Sequence, residues 1–142
     1  MSNATWFLDI EPKVFTLIKG KTYTKLKQKY PGILFTTIDA MPTDSTFSHT
    51  VYIHEVGGLE MGKDLEGNSV NAYECTMEVK VSVTSEDSNS KKTEVREITK
   101  YIASAFKQLR FEIVLMPTVE ITDSAYTVPM RFRRVIGAND TL

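Results

Sequence analysis

Two histidines, one cysteine, a cluster of glycines and two basic runs are the residues of this 142-residue chain whose chemistry could define a function. His49 and His54 lie in Phe47 to Val56 (FSHTVYIHEV), a stretch that alternates as a strand does. Side chains an odd number of positions apart on a strand point to opposite faces, so the pair does not converge on one metal ion without a bulge. Cys75 is the sole cysteine of the sequence, which excludes an intrachain disulfide and a multi-cysteine metal site. It falls on the apolar side of an alternating run, where a thiol packs as a small hydrophobe and is not activated as a nucleophile.

Gly57, Gly58 and Gly62 superficially suggest a phosphate-cradling loop. No Gly-Lys-Ser/Thr closes it, and Glu60, Asp64 and Glu66 would repel an anion. A nucleophile elbow, a dinucleotide fingerprint and a His-Glu-x-x-His pair are all missing from the sequence. These observations imply neither a reaction nor a cofactor.

The basic residues fall in two places. Lys13, Lys19, Lys21, Lys25, Lys27 and Lys29 crowd the first segment, and Arg131-Phe132-Arg133-Arg134 lies near the end. Against them stand 18 acidic residues to 17 basic ones, a net charge of -1, so the whole chain exerts no global attraction on nucleic acid or an anionic membrane. The plain reading of each basic run is a solvated face.

The placement of charge says more than its sum. A basic helix over residues 13 to 29 coexists with an acidic, glycine-rich stretch over 55 to 66. Segregation of that kind suits a head-to-tail contact between copies, which closes into a ring. On this reading the candidate interface comprises Gly57, Gly58, Glu60, Lys63, Asp64 and Glu66 in the stretch, Lys21, Lys25 and Lys29 on the helix, and Arg131 and Arg133 on the last strand.

The elements that must position these residues follow from periodicity. Asp9, Glu11 and Pro12 suit a helix N-terminus, and Ile10, Val14, Leu17, Ile18, Leu26 and Tyr30 predict a helix from about 10 to 29 with a possible break near Gly20. Ile33 to Ile38 and Phe47 to Val56 read as strands around a turn at 41–45. From Tyr73, apolar Tyr73, Cys75, Met77, Val79, Val81 and Val83 alternate with polar neighbours, which predicts a strand with one wet face. Residues 57–72, with four glycines, are expected to be a long loop, too long for a tight hairpin turn, of the kind that either has a function or is disordered. Val95, Ile98, Ile102, Ala105, Phe106 and Leu109 predict an amphipathic helix from about 91 to 109. Strands follow at 111–116 and 125–136, the last with Tyr126, Val128, Met130 and Phe132 on one face and Arg131 and Arg133 on the other.

The expected architecture is therefore a single α+β domain, two helices packed on a mixed, largely antiparallel sheet in the order α-β-β-β-α-β-β. Residues 1–7 and 137–142 are expected as flexible ends. The longest apolar runs, such as Ile113 to Met116, fall far short of the roughly 20 residues that span a bilayer. A secretory leader pattern is missing at the N-terminus, and cysteine usage fits a reducing compartment.

Over residues 8 to 136 the chain resembles the tail terminator, or tail completion, proteins of long-tailed bacteriophages. The resemblance rests on Leu8-Asp9-Ile10-Glu11-Pro12-Lys13-Val14-Phe15 and Tyr30-Pro31-Gly32-Ile33. It continues through the alternating strand from Tyr73 to Ser85, Ser90-Lys91-Lys92-Thr93, Phe106 to Phe111 (FKQLRF) and Met130-Arg131-Phe132-Arg133. It implies a virion protein assembled in the host cytoplasm, a hexameric ring that caps the tail tube, stops its growth and docks the neck. Its partners would be the tube and neck proteins, and DNA would pass through the ring without specific binding. The chain departs from the family pattern where Thr46-Phe47-Ser48-His49 replaces a Phe-Pro pair, and where Leu109-Arg110-Phe111 replaces Leu-Gly-Phe, so that a helix stop loses its glycine. The alternatives are another head-tail joining subunit, or a small module binding nucleic acid or a small ligand.

Overall fold

In a computed structural model, which describes residues 6–37, 48–63, 70–84, 88–115, 117–122, 125–137 and 140–142, the chain opens with a short 3-10 helix, Trp6–Asp9. This turns directly into α1, Ile10–Lys29, whose buried residues Ile10, Val14, Ile18, Thr22 and Leu26 recur every four positions. Thr22, the polar member of that stripe, donates its hydroxyl to the Ile18 carbonyl at 2.8 Å. The helix runs through Gly20 without the break that its sequence allows there. Gly20 is exposed, and its cost of about 1 kcal/mol against alanine is offset by the packing of the stripe on either side.

Next come β1 (Ile33–Thr36), β2 (His49–Lys63), β3 (Val70–Val83), α2 (Ser88–Gln108), β4 (Glu112–Leu115), β5 (Glu120–Thr122) and β6 (Ala125–Gly137). They form one sheet in the order β1-β2-β3-β6-β4, with β5 also on β6; β1 joins β2 in parallel and every other pairing is antiparallel. The protein is thus α+β, as the periodicities predict. β5 is the addition, three residues too short to carry an alternation. The turn expected at 41–45 lies outside the described residues.

Both helices cover one face. Val51, Ile53, Cys75, Met77, Val79, Val81, Val83, Met130 and Phe132 point at them and are buried. At the centre Phe106 of α2 stacks on Phe132 of β6, ring centroids 4.3 Å apart and 4° from parallel. Truncating either ring to alanine would cost about 3–5 kcal/mol. Towards the ends, Phe7 stacks on Tyr73 with ring centroids 5.1 Å apart, and Leu142 packs against the core.

The largest departure from expectation concerns residues 57–72. Where a loop is expected, β2 and β3 stay paired from His49↔Val83 to Lys63↔Val70, interrupted by one bulge between Glu55 and Gly57. Only 64–69, outside the described residues, separate the two strands. Glycine content reads as loop in a sequence, but here it serves the pairing itself.

Candidate interaction surface

β1 stops pairing with β2 at Tyr52, whereas β2 continues to Lys63 and β3 keeps β6 beside it only as far as Ala72↔Gly137. The strands therefore extend into an arm whose last described pair, Lys63↔Val70, has no flanking strand among the described residues. Gly57, at φ 156°, takes up the bulge in a conformation L side chains rarely adopt. Gly58 leaves room for Tyr73: a Cβ there would stand 2.0 Å from the Tyr73 ring. These two glycines shape the root of the arm.

The same root explains the cysteine. Glu55 accepts hydrogen bonds from the Tyr73 hydroxyl at 3.0 Å and the Cys75 thiol at 3.3 Å, while the Glu55 N–H donates to the Glu11 carboxylate at 3.0 Å. Burial, reinforced by the Glu55 charge, pushes the Cys75 thiol well above its ordinary range, and the Tyr73 hydroxyl moves the same way for the same causes. A thiol held protonated is a poor nucleophile.

His49 is 7% exposed and faces α2 with its Nε2 3.4 Å from Glu94 Oε2; its Nδ1 lies 2.7 Å from Ser48 Oγ. Ser48, His49 and Glu94 are the residue types of a nucleophile triad, but the imidazole is enclosed under Tyr30, ring centroids 4.7 Å apart. The larger open clefts are lined by other residues. His54 stands on the opposite face beside Tyr52, as the spacing predicts. Among the described residues no group of three or more His, Cys, Asp or Glu side chains could hold a metal ion.

The basic candidates are largely engaged. On the face of the sheet away from the helices, Arg131 binds Glu78 at 3.2 Å, Lys80 lies 3.8 Å from the same carboxylate, and Arg133 sits 3.7 Å from both Glu74 and Glu112. This is a ladder of alternating charge, not a basic track. On α1, Lys29 binds Glu97 and Lys21 donates to Gln108 at 3.3 Å, leaving Lys25 exposed. Glu60 and Lys63 lie on the arm, and Asp64 and Glu66 fall within 64–69, outside the described residues. The arm and the arginine ladder share one sheet, and the α1 lysines belong to the opposite layer.

A third basic group escapes the charge-run reading. Lys92, Arg96 and Lys100 of α2 line an open cleft of about 480 Å³ whose far wall is Pro117–Val119 and whose base is Val128. Their spacing of four was visible in the sequence; the facing wall, from the β4–β5 connection, was not. Comparison with family models and with curated proteins finds no match. None of the described helices is long and apolar enough to cross a membrane.

Proposed function

We propose that this protein is a structural assembly subunit that self-associates head-to-tail into a ring, in the manner of the phage tail terminators it resembles. In that role it would cap a tail tube, stop its growth and offer a surface to the neck. The observation that carries this reading is the arm formed by β2 and β3. It runs beyond the strands that flank it, and an unflanked strand pair gains by docking on another surface. The burial of Cys75 beside Glu55, the enclosure of His49 under Tyr30 and the ion pairs of the arginines also favour a structural role over a catalytic one.

Light scattering across a wide concentration range, with negative-stain images of any large species, tests it. The expected result is a closed ring of about six times the 16.1 kDa chain mass. Open filaments, or a symmetric dimer at every concentration, would contradict the ring.

A further inference from the structure

The charges of α2 are sorted by flank. Glu94 turns to His49 and Glu97 to Lys29 and Tyr30, so its acids face other parts of the same chain. Lys92, Arg96 and Lys100 recur at every fourth position, are exposed, and make no ion pair among the described residues, Lys100 acting on Glu97 only through its charge. Eight residues of helix place them along about 12 Å. They rim the cleft, whose base is the buried Val128 and whose opposite wall carries Pro117 and the half-buried Val119. A basic rim over an apolar floor asks for a segment that interleaves acidic and apolar side chains.

The chain contains such a segment. Leu59-Glu60-Met61 lies on β2, in the arm; Gly62 and Lys63 end the strand, and Asp64-Leu65-Glu66 follows in sequence, outside the described residues. The described part of the arm stands far from the cleft of its own chain. Val128, under the cleft, and Gly137, beside the arm, are nine residues apart on β6, about 30 Å at strand rise. Matching surfaces at opposite ends of one sheet produce a heterologous contact that repeats from copy to copy.

We infer that the cleft between α2 and Pro117–Val119 receives the acidic arm of a second copy of this chain, with Lys92, Arg96 and Lys100 set against Glu60, Asp64 and Glu66. The inference rests on the ring reading and assigns its receiving surface to α2 instead of α1, where Lys21 and Lys29 are already bound within the subunit. A nucleic-acid backbone would match the rim but brings no aliphatic side chain for the floor.

A charge exchange in the full-length chain tests it. One variant carries Lys92→Glu, Arg96→Glu and Lys100→Glu; the other carries Glu60→Lys, Asp64→Lys and Glu66→Lys. Each alone pairs like charge with like and is expected to sediment as a single chain with an unchanged cooperative melt. Mixed in equal amounts, every arm again faces a cleft of opposite sign, and assembly should return and weaken as salt rises. Wild-type chain that assembles while the α2 variant assembles equally well overturns the contact and leaves the ring standing. Wild-type chain and mixture that both stay monomeric overturn the two together. Binding of duplex DNA at low salt that the α2 substitutions abolish, with assembly untouched, makes the cleft a nucleic-acid site and overturns the proposal.

Discussion

Arg110 shows how much one residue's conformation can hold. It follows α2 at φ 65°, the left-handed region, with its N–H on the Lys107 carbonyl at 2.9 Å and the Phe111 N–H on the Phe106 carbonyl at 3.1 Å. This is a Schellman stop, completed by the edge-to-face contact of Phe106 and Phe111 and by Arg134 donating to the Leu109 carbonyl at 2.8 Å. Glycine normally holds the position because a Cβ there crowds the following carbonyl. Arg110→Gly should therefore stabilise the fold by about 0.5–1 kcal/mol, raising the melting temperature by about 2–4 °C, while Arg110→Ala leaves it near the parent value. Equal effects of the two would mean that the arginine side chain, not its backbone, matters. At Gly58 the sign reverses. Gly58→Ala must displace the Tyr73 ring from between Gly58 and Phe7 and from Glu55, at a cost of about 1–3 kcal/mol. In a Tyr73→Ala background the same substitution should cost much less, a coupling that denaturant melts of the double-mutant cycle would read.

At the scale of elements, α2 and β3 were legible because each buries one face of a regular period, and each residue read as apolar-facing on them is buried. α1 was legible in extent but not in continuity, since Gly20 and Thr22 look like breakers until the hydroxyl of Thr22 is seen bonded to its own helix. The arm was illegible for a different reason. Its strandedness is imposed by pairing between two strands, and no alternation survives Gly57, Gly58 and Gly62. The tie between α1 and α2 gives a pH signature. Hydrogen bonds from Lys29 and then Tyr30 hold the Glu97 carboxyl below its ordinary range. A carboxyl depressed in the folded state binds fewer protons there than in the unfolded chain, whose value is about 4.3. Its contribution is present above that value and is lost as pH falls through the folded one. Thermal melts from pH 7 to pH 3 should show wild type above Glu97→Gln at neutral pH and the gap closing on acidification. A gap that stays constant across the range would assign the effect of Glu97 to packing.

At the scale of the molecule, the sheet separates two jobs. The part between β1 and β4, under both helices, carries the core; the part beyond Ala72 contributes no residue to the described core, whose arm-side limit is Tyr73 and Ile136. Stability and assembly should therefore be separable by shortening the arm. Met61 and Ala72 face each other across it, so replacing 62–71 by Asn-Gly closes a tight hairpin at a point where the strands are already in register. The shortened chain loses Asp64 and Glu66 along with the end of the arm. It should keep its cooperative melt, within a few degrees of the parent, and should sediment as a single chain where the parent assembles. Loss of the cooperative transition would show that residues 62–71 belong to the folding unit. Unchanged assembly would move the subunit contact off the arm and onto some other surface of the sheet.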